Sequence, residues 1–274
     1  DDVPPDNVNQ LVPPPPPQAP APPPPAPAHK YAVGTQAVNN LGGSAHLSLW
    51  RPPINQPATE VFSLSQEWYV GGASANLQTV EGGWQVFPRK YRTNNPATFI
   101  YWTPDNYTTG CYNLDCVAFV QVNRFFALGA GWGNWSVRGG AQVGFRMKWQ
   151  LINGNWWLSM QGAGAAQWVG YYPGRIFRGG QLTRNATRAE FGGETFGTTS
   201  WPPMGSGAFA AGGWRQAAFQ RNIYYLDLTR TPIWTTLAPQ QPSPACYTFA
   251  FFAPAGGGAW GAYSFFGGPG GGGC

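Results

Sequence analysis

The feature that most constrains the fold is an apolar side chain at every second position of several short segments. In residues 145–151, FRMKWQL, aromatic and aliphatic residues alternate with charged and polar ones at every step. Side chains of a β-strand point alternately to opposite faces, so this pattern predicts a strand with one buried side. Asn153-Gly154 follows and predicts a hairpin turn into the apolar run NWWLSM. The chain is therefore expected to form sheets.

Similar segments recur along the chain, and none shows a helical stripe with caps. In residues 62–69, the alternation places Phe62, Leu64, Gln66 and Trp68 on one face. The other predicted strands are 76–87, 97–103, 117–122, 168–172, 189–196 and 245–252. This many strands in one long domain predict an all-β fold, an antiparallel two-sheet β-sandwich of the jelly-roll type.

The proline distribution divides the chain into two parts. Residues 1–28 contain 13 prolines and are predicted to be an extended tail or linker without a core. Residues 29–274 contain no second proline-rich break, so we expect one domain there. No hydrophobic run reaches the length of a membrane span, and no signal peptide is recognisable. We therefore expect a processed chain that binds no membrane.

The low content of charged residues excludes several classes of function. Charged residues make up 10% of the chain, whereas aromatic residues make up 16%. Disorder requires the opposite composition, low hydrophobicity and high charge. The net charge of +5 comes from basic residues that are scattered singly. They form no stripe that would follow a phosphate backbone, so nucleic acid is not an expected partner.

The cysteines and histidines indicate disulfides and argue against a metal site. The spacing of Cys111 and Cys116 does not fit a zinc motif, and the chain has only two histidines and no HExxH. An even number of cysteines favours disulfides and an oxidising compartment, so we expect a secreted protein with neither metal nor cofactor. Of the three possible connectivities, the local one, Cys111–Cys116 with Cys246–Cys274, is our prediction.

Paired carboxylates are the strongest candidates for chemistry. No serine lies in a G-x-S-x-G elbow, and a cysteine nucleophile would compete with disulfide formation. Glu81, in LQTVEGGWQVF, and Glu194, in RAEFGGETFG, lie inside predicted strands, and each is flanked by a Gly-Gly pair. Glycine inside a strand often marks a close approach by another backbone. Residue types alone also fit two ordinary strand glutamates that are solvated or hydrogen-bonded.

A series of short motifs resembles the neprosin family over residues 29–274. The motifs are FSLSQEWYVGG, QTVEGGWQVFP, ATFIYWTPDNYTTGCYNLDCVAFVQ, GNWWL, VGYYPGRIF, FGGETF, MGSGAF and FFGGPGGGGC, in family order. Neprosins are plant proteins with microbial relatives, and they include a glutamic endopeptidase that cuts after proline. The resemblance implies a catalytic groove on the concave face of the sandwich and a prodomain that is removed. It places the two catalytic glutamates at Glu81 and Glu194.

This reading leads to specific expectations about mechanism and substrate. Two close carboxyl groups share one proton, so the ionised one can activate water while the protonated one assists the carbonyl oxygen and the leaving amine. Gln66 and Gln85 are candidates to hold a carboxylate, water or substrate. An apolar slot should accept proline, and its candidate walls are Trp68, Tyr101 and Tyr171. We expect an acid-acting monomer whose partners are proline-containing peptides and its own prodomain.

Two other functions fit the same features. A glycoside hydrolase also uses two strand carboxylates in an aromatic cleft, and a separation of about 5 Å would suit retaining chemistry. A non-catalytic carbohydrate-binding β-sandwich would use the same glutamates only to accept sugar hydroxyls. Fold class does not separate these possibilities.

Overall fold

The computed structural model describes residues 28–255 and 258–274. Within them the chain is nearly all β, with 47% strand and 7% helix. The tail predicted for residues 1–28 lies, up to residue 27, outside the described residues. None of the helices found in the described residues has the length and apolarity needed to cross a membrane.

The described residues form sixteen strands in two antiparallel sheets that pack as a sandwich, so the predicted fold class is confirmed. The strands are β1 (Ala28–Asn40), β2 (Gly42–Ser48), β3 (Glu60–Gly71), β4 (Gln78–Val86), β5 (Ala97–Thr103), β6 (Cys111–Tyr112), β7 (Val120–Gln121), β8 (Gly144–Ile152), β9 (Asn155–Gln161), β10 (Gln167–Tyr172), β11 (Ala186–Gly197), β12 (Ala218–Leu226), β13 (Pro232–Trp234), β14 (Ala238–Gln240), β15 (Thr248–Phe252) and β16 (Tyr263–Gly267). The one α-helix among the described residues is α1 (Pro88–Tyr91), and the 3-10 turns are Ser74–Asn76, Gly174–Phe177, Gln181–Thr183 and Ala210–Gly212.

Strand order places β3 near the centre of one sheet. The seven-stranded sheet has the order β14-β1-β11-β3-β4-β5-β6, and the nine-stranded sheet has the order β15-β16-β12-β2-β8-β9-β10-β7, with β13 added beside β12. Strands that are far apart in the sequence are neighbours in this sheet, since β11 lies between β1 and β3. Residues far apart in the chain therefore meet on β1, β11, β3 and β4.

The segment with the strictest alternation was identified correctly. The predicted strand 145–151 is β8, which buries its odd-numbered residues. Asn153 and Gly154 both have positive φ, 50° and 77°, as the predicted hairpin turn between β8 and β9 requires. The predicted strand 117–122 is wrong over most of its length, because only Val120–Gln121 pairs with a neighbour. The Cys111–Cys116 loop turns the chain just before this segment, so pairing starts late.

The two faces of the seven-stranded sheet have different roles. Even-numbered residues of β4 and β5, such as Trp84 and Ile100, face the second sheet and belong to the main core. Odd-numbered residues of the same strands and even-numbered residues of β3 form a second apolar cluster, which contains Leu64, Trp68 and Phe99. Since this second cluster lines a cavity, the outer face of the sheet is where a ligand can approach.

Candidate active site

The centre of the candidate site is Gln66, in the middle of β3 on the outer face of its sheet. The strand register places Gly192 of β11 on one side of Gln66 and Gly83 of β4 on the other. On these same two strands, Glu194 pairs with Leu64 and Glu81 pairs with Trp68. Each glutamate therefore lies two residues away from the position of Gln66, in opposite directions along β3. The two glutamates therefore form a diagonal pair across β3 with Gln66 between them.

The two glycines beside Gln66 keep the centre of the site open. Gly192 has a φ of 145°, which L side chains rarely adopt, and a Cβ there would lie 2.4 Å from the carbonyl oxygen of Ala32. A Cβ on Gly83 would lie 1.9 Å from the carbonyl oxygen of Ser65. These positions accept only glycine without a backbone shift, and the missing side chains leave room for two carboxyl groups.

The second glycine of each pair faces the other sheet. A Cβ on Gly82 would lie 2.7 Å from Sδ of Met147, and one on Gly193 would lie 2.6 Å from Sδ of Met204 and from the ring of Phe266. The close approach predicted for the Gly-Gly pairs is confirmed, by backbone atoms on the outer face and by side chains on the core face. In each Gly-Gly pair, one glycine leaves space on the outer face of the sheet and the other allows close packing against the core.

Glu81 is buried and held by hydroxyl groups. Its Oε1 accepts hydrogen bonds from Thr79 Oγ1 at 2.6 Å and from the Tyr107 hydroxyl at 2.9 Å, and its Oε2 lies 3.3 Å from Nε2 of Gln66. Burial raises the pKa of Glu81 to about 7; the bond from Thr79 opposes this rise and the charge of Glu194 adds to it. Glu81 therefore retains a proton in mild acid.

Glu194 is equally buried but has a basic partner. Its Oε1 contacts Nδ1 of His29, and its Oε2 lies 3.5 Å from the same Nε2 of Gln66. Burial raises the pKa of Glu194, while the hydrogen bond and the charge of His29 oppose the rise. In each glutamate, Oε1 contacts a side chain at the edge of the site and Oε2 faces the amide of Gln66.

The two carboxyl groups are close enough for the charge of Glu194 to raise the pKa of Glu81. Both Oε2 atoms lie within 3.5 Å of one amide nitrogen, that of Gln66. Two carboxylates at such a separation do not easily ionise together, so the pair releases its protons in two separated steps. One carboxyl can then act as a base while its neighbour acts as an acid.

A cavity of about 530 Å³ lies over the pair. Its walls are largely apolar and aromatic, which lowers the effective dielectric constant around the carboxyl groups and strengthens their electrostatic interactions. The aromatic residues that line it are Tyr31, Phe62, Trp68, Phe99, Tyr101, Tyr107 and Tyr112. The site therefore combines two neighbouring carboxyl groups with a largely apolar surface.

Five residues that the sequence analysis singled out meet in this cavity: Glu81, Glu194, Gln66, Trp68 and Tyr101. Trp68 and Tyr101 lie directly opposite Glu81, on the strands to either side of β4. Gln66 contacts both glutamates, as expected of a residue that holds a carboxylate. Alternation placed Gln66 and Trp68 on one face of β3, and the strand pairings bring the other three side chains to the same face of the sheet.

Two expected binding residues lie elsewhere. Gln85 is on the same face of β4 as Glu81, but four residues along a strand is ~13 Å. Its Oε1 accepts a hydrogen bond from the Tyr91 hydroxyl, outside the cavity lining. Tyr171 belongs to β10 of the other sheet, where its ring packs 4.5 Å from that of Trp157. Sequence order does not reveal which sheet a strand joins, so Tyr171 was misplaced.

Three polar partners were missed by the sequence analysis. Thr79 precedes Glu81 by two residues, so alternation places it on the same face and would have identified it. Tyr107 has a φ of 64° in the turn after β5, and its N–H donates to Thr103 Oγ1 at 2.9 Å. That turn directs Tyr107 back over the site. His29 is brought in only by the pairing of β1 with β11.

Both predicted disulfides, Cys111–Cys116 and Cys246–Cys274, are present. The first closes a short loop next to Tyr112, which lines the cavity. The second joins the last residue to the segment just before β15. They constrain one wall of the site and the C-terminal end of the chain.

Comparison with known proteins gives a family match and a structural similarity. The family model described as Neprosin matches residues 59–269, a range that includes Glu81 and Glu194. Among solved structures, Scytalido-glutamic peptidase with a peptide-based transition state analog is similar, with a TM-score of 0.44 and 7% sequence identity. That match covers 88% of this chain and 97% of the other.

Proposed function

The chain belongs to the neprosin family, and from that premise we propose that it is a glutamic endopeptidase cutting on the carboxyl side of proline. Family membership supports peptidase chemistry of the glutamic type. The observation that carries the proposal is the meeting of Glu81 and Glu194 at the amide of Gln66 inside an aromatic cavity. This arrangement supplies a base and an acid at one place.

The pair begins with one proton and ends with one. The ionised carboxylate takes a proton from water as the water oxygen bonds to the carbonyl carbon. The protonated carboxyl donates a hydrogen bond to the carbonyl oxygen, which carries the developing negative charge. It then passes its proton to the amine nitrogen as the C–N bond breaks. The products are a carboxylic acid and an amine, and the proton from water remains on the pair.

The preference for proline follows from the walls of the cavity. A prolyl ring has no N–H to satisfy and stacks well on aromatic faces. Trp68 and Tyr101 flank Glu81 across the sheet and are the proposed walls of the proline subsite. Since Tyr171 lies in the other sheet, it has no part in this proposal.

The proposal also covers the secretion, processing, oligomeric state and working pH of the protein. We propose that it is secreted, that it is made with a prodomain which is later removed, and that it acts in acid as a monomer. The two disulfides support an oxidising compartment. The shared proton supports action below neutrality, because Glu81 must keep its proton until the pH approaches about 7.

The test is to incubate the purified protein in acid with a peptide containing several prolines and to map the cuts by mass spectrometry. We expect cuts after proline in the wild type and none in Glu194→Gln. A chelator should change nothing, since the described residues contain no cluster of three or more His, Cys, Asp or Glu side chains suited to a metal.

Parallel incubation with neutral and acidic polysaccharides tests the glycosidase and sugar-binding alternatives. Cleaved polysaccharide with intact peptide would overturn the proposal in favour of a glycoside hydrolase. Polysaccharide binding without cleavage of either substrate would favour a non-catalytic module. Peptide cuts at positions unrelated to proline would support peptidase activity and refute the proposed specificity for proline.

A further inference from the structure

The two glutamates share one layout, but their anchors differ in charge. Glu81 is anchored by two hydroxyl groups, those of Thr79 and Tyr107, which remain neutral in the pH range of folded proteins. Glu194 is anchored by the imidazole of His29, which can carry a positive charge. A cation adds a charge–charge attraction that favours the ionised form of a neighbouring carboxylate, and a neutral hydroxyl lacks this attraction. The anchors therefore make the two carboxyl groups chemically unequal.

The fold holds the His29 ring in this position. His29 lies near the start of β1 and pairs with Phe196 of β11. Glu194 lies two residues away from Phe196 on the same strand. The ring centroid of His29 is 4.4 Å from that of Phe196 and 5.9 Å from that of Phe62. These two contacts fix the plane of the imidazole. Nearly half of the side chain is exposed, 47%, so the ring exchanges protons with solvent.

We propose that His29 is the positioning residue that keeps Glu194 ionised and aimed at the central amide, which makes Glu194 the base and Glu81 the acid. This inference rests on the proposed peptidase function and assigns its two roles. The imidazolium donates a hydrogen bond to Oε1 of Glu194 and leaves Oε2 available to accept the proton of the attacking water. Glu81, whose anchors are neutral hydroxyl groups, keeps the proton that the carbonyl oxygen and the amine require.

The electrostatic surroundings of His29 agree with this assignment. Burial disfavours the charged ring, yet the hydrogen bond and the charge of Glu194, with a smaller contribution from Glu81, raise the pKa of His29 above its ordinary value of 6.5. Tyr31 stacks against the same ring from β1, and Glu190 acts on Glu194 from further along β11. All the acidic groups that act on this ring favour its protonated form.

Activity requires an ionised Glu194 and a protonated Glu81, and these two states exist together only within a window of pH. Its acid limit is the pKa of Glu194, which His29 lowers, and activity is lost below it because the base is protonated. Its alkaline limit is the pKa of Glu81, about 7, above which the acid has lost its proton. Removing His29 therefore moves the acid limit upward and leaves the alkaline limit in place, so the window narrows.

The kinetic test compares the pH profiles of His29→Gln and wild type. We expect the acid limb of kcat to move up by about one pH unit, the effect of one opposite charge close by, with KM and the alkaline limb nearly unchanged. The other histidine offers a matched control: His46→Gln, in β2 of the other sheet, should reproduce the wild-type profile. An unmoved acid limb in folded His29→Gln would overturn the inference.

A second measurement does not depend on peptide cleavage. The imidazoles of His29 and His46 are titrated by NMR in the wild type and in Glu194→Gln. We expect the pKa of His29 to be about one unit lower in the variant and the pKa of His46 to be the same in both proteins. Equal titration of His29 in both proteins would overturn the inference. A wild type that cut no peptide but showed the shift would instead refute the proposed function alone.

Discussion

The seven-stranded sheet buries glutamates on both of its faces, but their surroundings differ. Glu67 points from β3 into the core beside Tyr69, and neither of its carboxyl oxygens has a hydrogen-bond partner of ordinary geometry. Glu81 and Glu194 are also buried, yet each has one oxygen held by a donor and one facing a cavity. Burial raises the pKa of all three carboxyl groups.

This difference shows that a raised pKa alone does not identify a catalytic carboxyl group. Glu67 is sealed between two sheets, so its raised pKa can influence only stability. Glu81 and Glu194 adjoin a space large enough for substrate and water, and each has a close carboxyl neighbour. Acid–base catalysis requires both a poised proton and a path for it to the reacting atoms.

The largest expected effect separates the two faces by activity. Glu81→Gln removes the proton donor and should lower kcat by ~10²–10⁴-fold. Glu67→Gln should leave kcat nearly unchanged, because its side chain does not reach the cavity. Initial rates on one proline-containing peptide, measured with folded variants, test this directly. Similar losses in both variants would mean that burial, and not access to the cavity, is what activity depends on.

The second prediction concerns the close packing behind the site. Gly193→Ala places a methyl group against Met204 and the stiff ring of Phe266, so it should lower the free energy of unfolding by about 1–3 kcal/mol. Gly133→Ala is the matched control, since a Cβ there would have no neighbour within 4 Å. Denaturant unfolding measures both. An unchanged midpoint for Gly193→Ala would show that the two sheets can separate slightly at no cost.

The third prediction uses pH to detect the sealed glutamate. Because burial raises the pKa of folded Glu67 above its ordinary 4.5, the unfolded chain releases this proton first as the pH rises. Its contribution to stability is complete below pH 4.5 and is lost as the pH rises towards the folded pKa. Glu67→Gln should therefore reduce the fall in Tm between acid and neutral pH. An identical fall in wild type and variant would place Glu67 in contact with solvent.

The smallest predicted effect concerns one hydrogen bond in the cavity. The Tyr107 hydroxyl lowers the pKa of Glu81, so Tyr107→Phe should raise that pKa. The alkaline limb of the pH profile should then move up by a few tenths of a unit. Tyr101→Phe is the control, because its ring lines the same cavity while Glu81 accepts its bonds from other hydroxyls. A downward shift in Tyr107→Phe would contradict this geometry.

The part of the site that alternation defines could be predicted from sequence. Alternation placed Gln66 and Trp68 on one face of β3, and the motif resemblance singled out the two glutamates on β4 and β11. The Gly-Gly pairs were a sequence signal of close approach, and the structure shows a separate reason for each glycine. These predictions succeeded because the direction of a strand side chain depends on the residue's own backbone and its immediate neighbours.

The remaining parts depended on pairings between distant segments. His29 reaches Glu194 across a separation of 165 residues, through the register of β1 on β11. Tyr171, a candidate wall of the proline slot, lies in the other sheet, and Tyr107 enters the site through a turn with positive φ. The sequence by itself determined which residues can share a face and that the chain forms a sandwich. Only the tertiary structure decided which faces meet, because strand order and register arise from the packing of the whole core and are not encoded in any one segment.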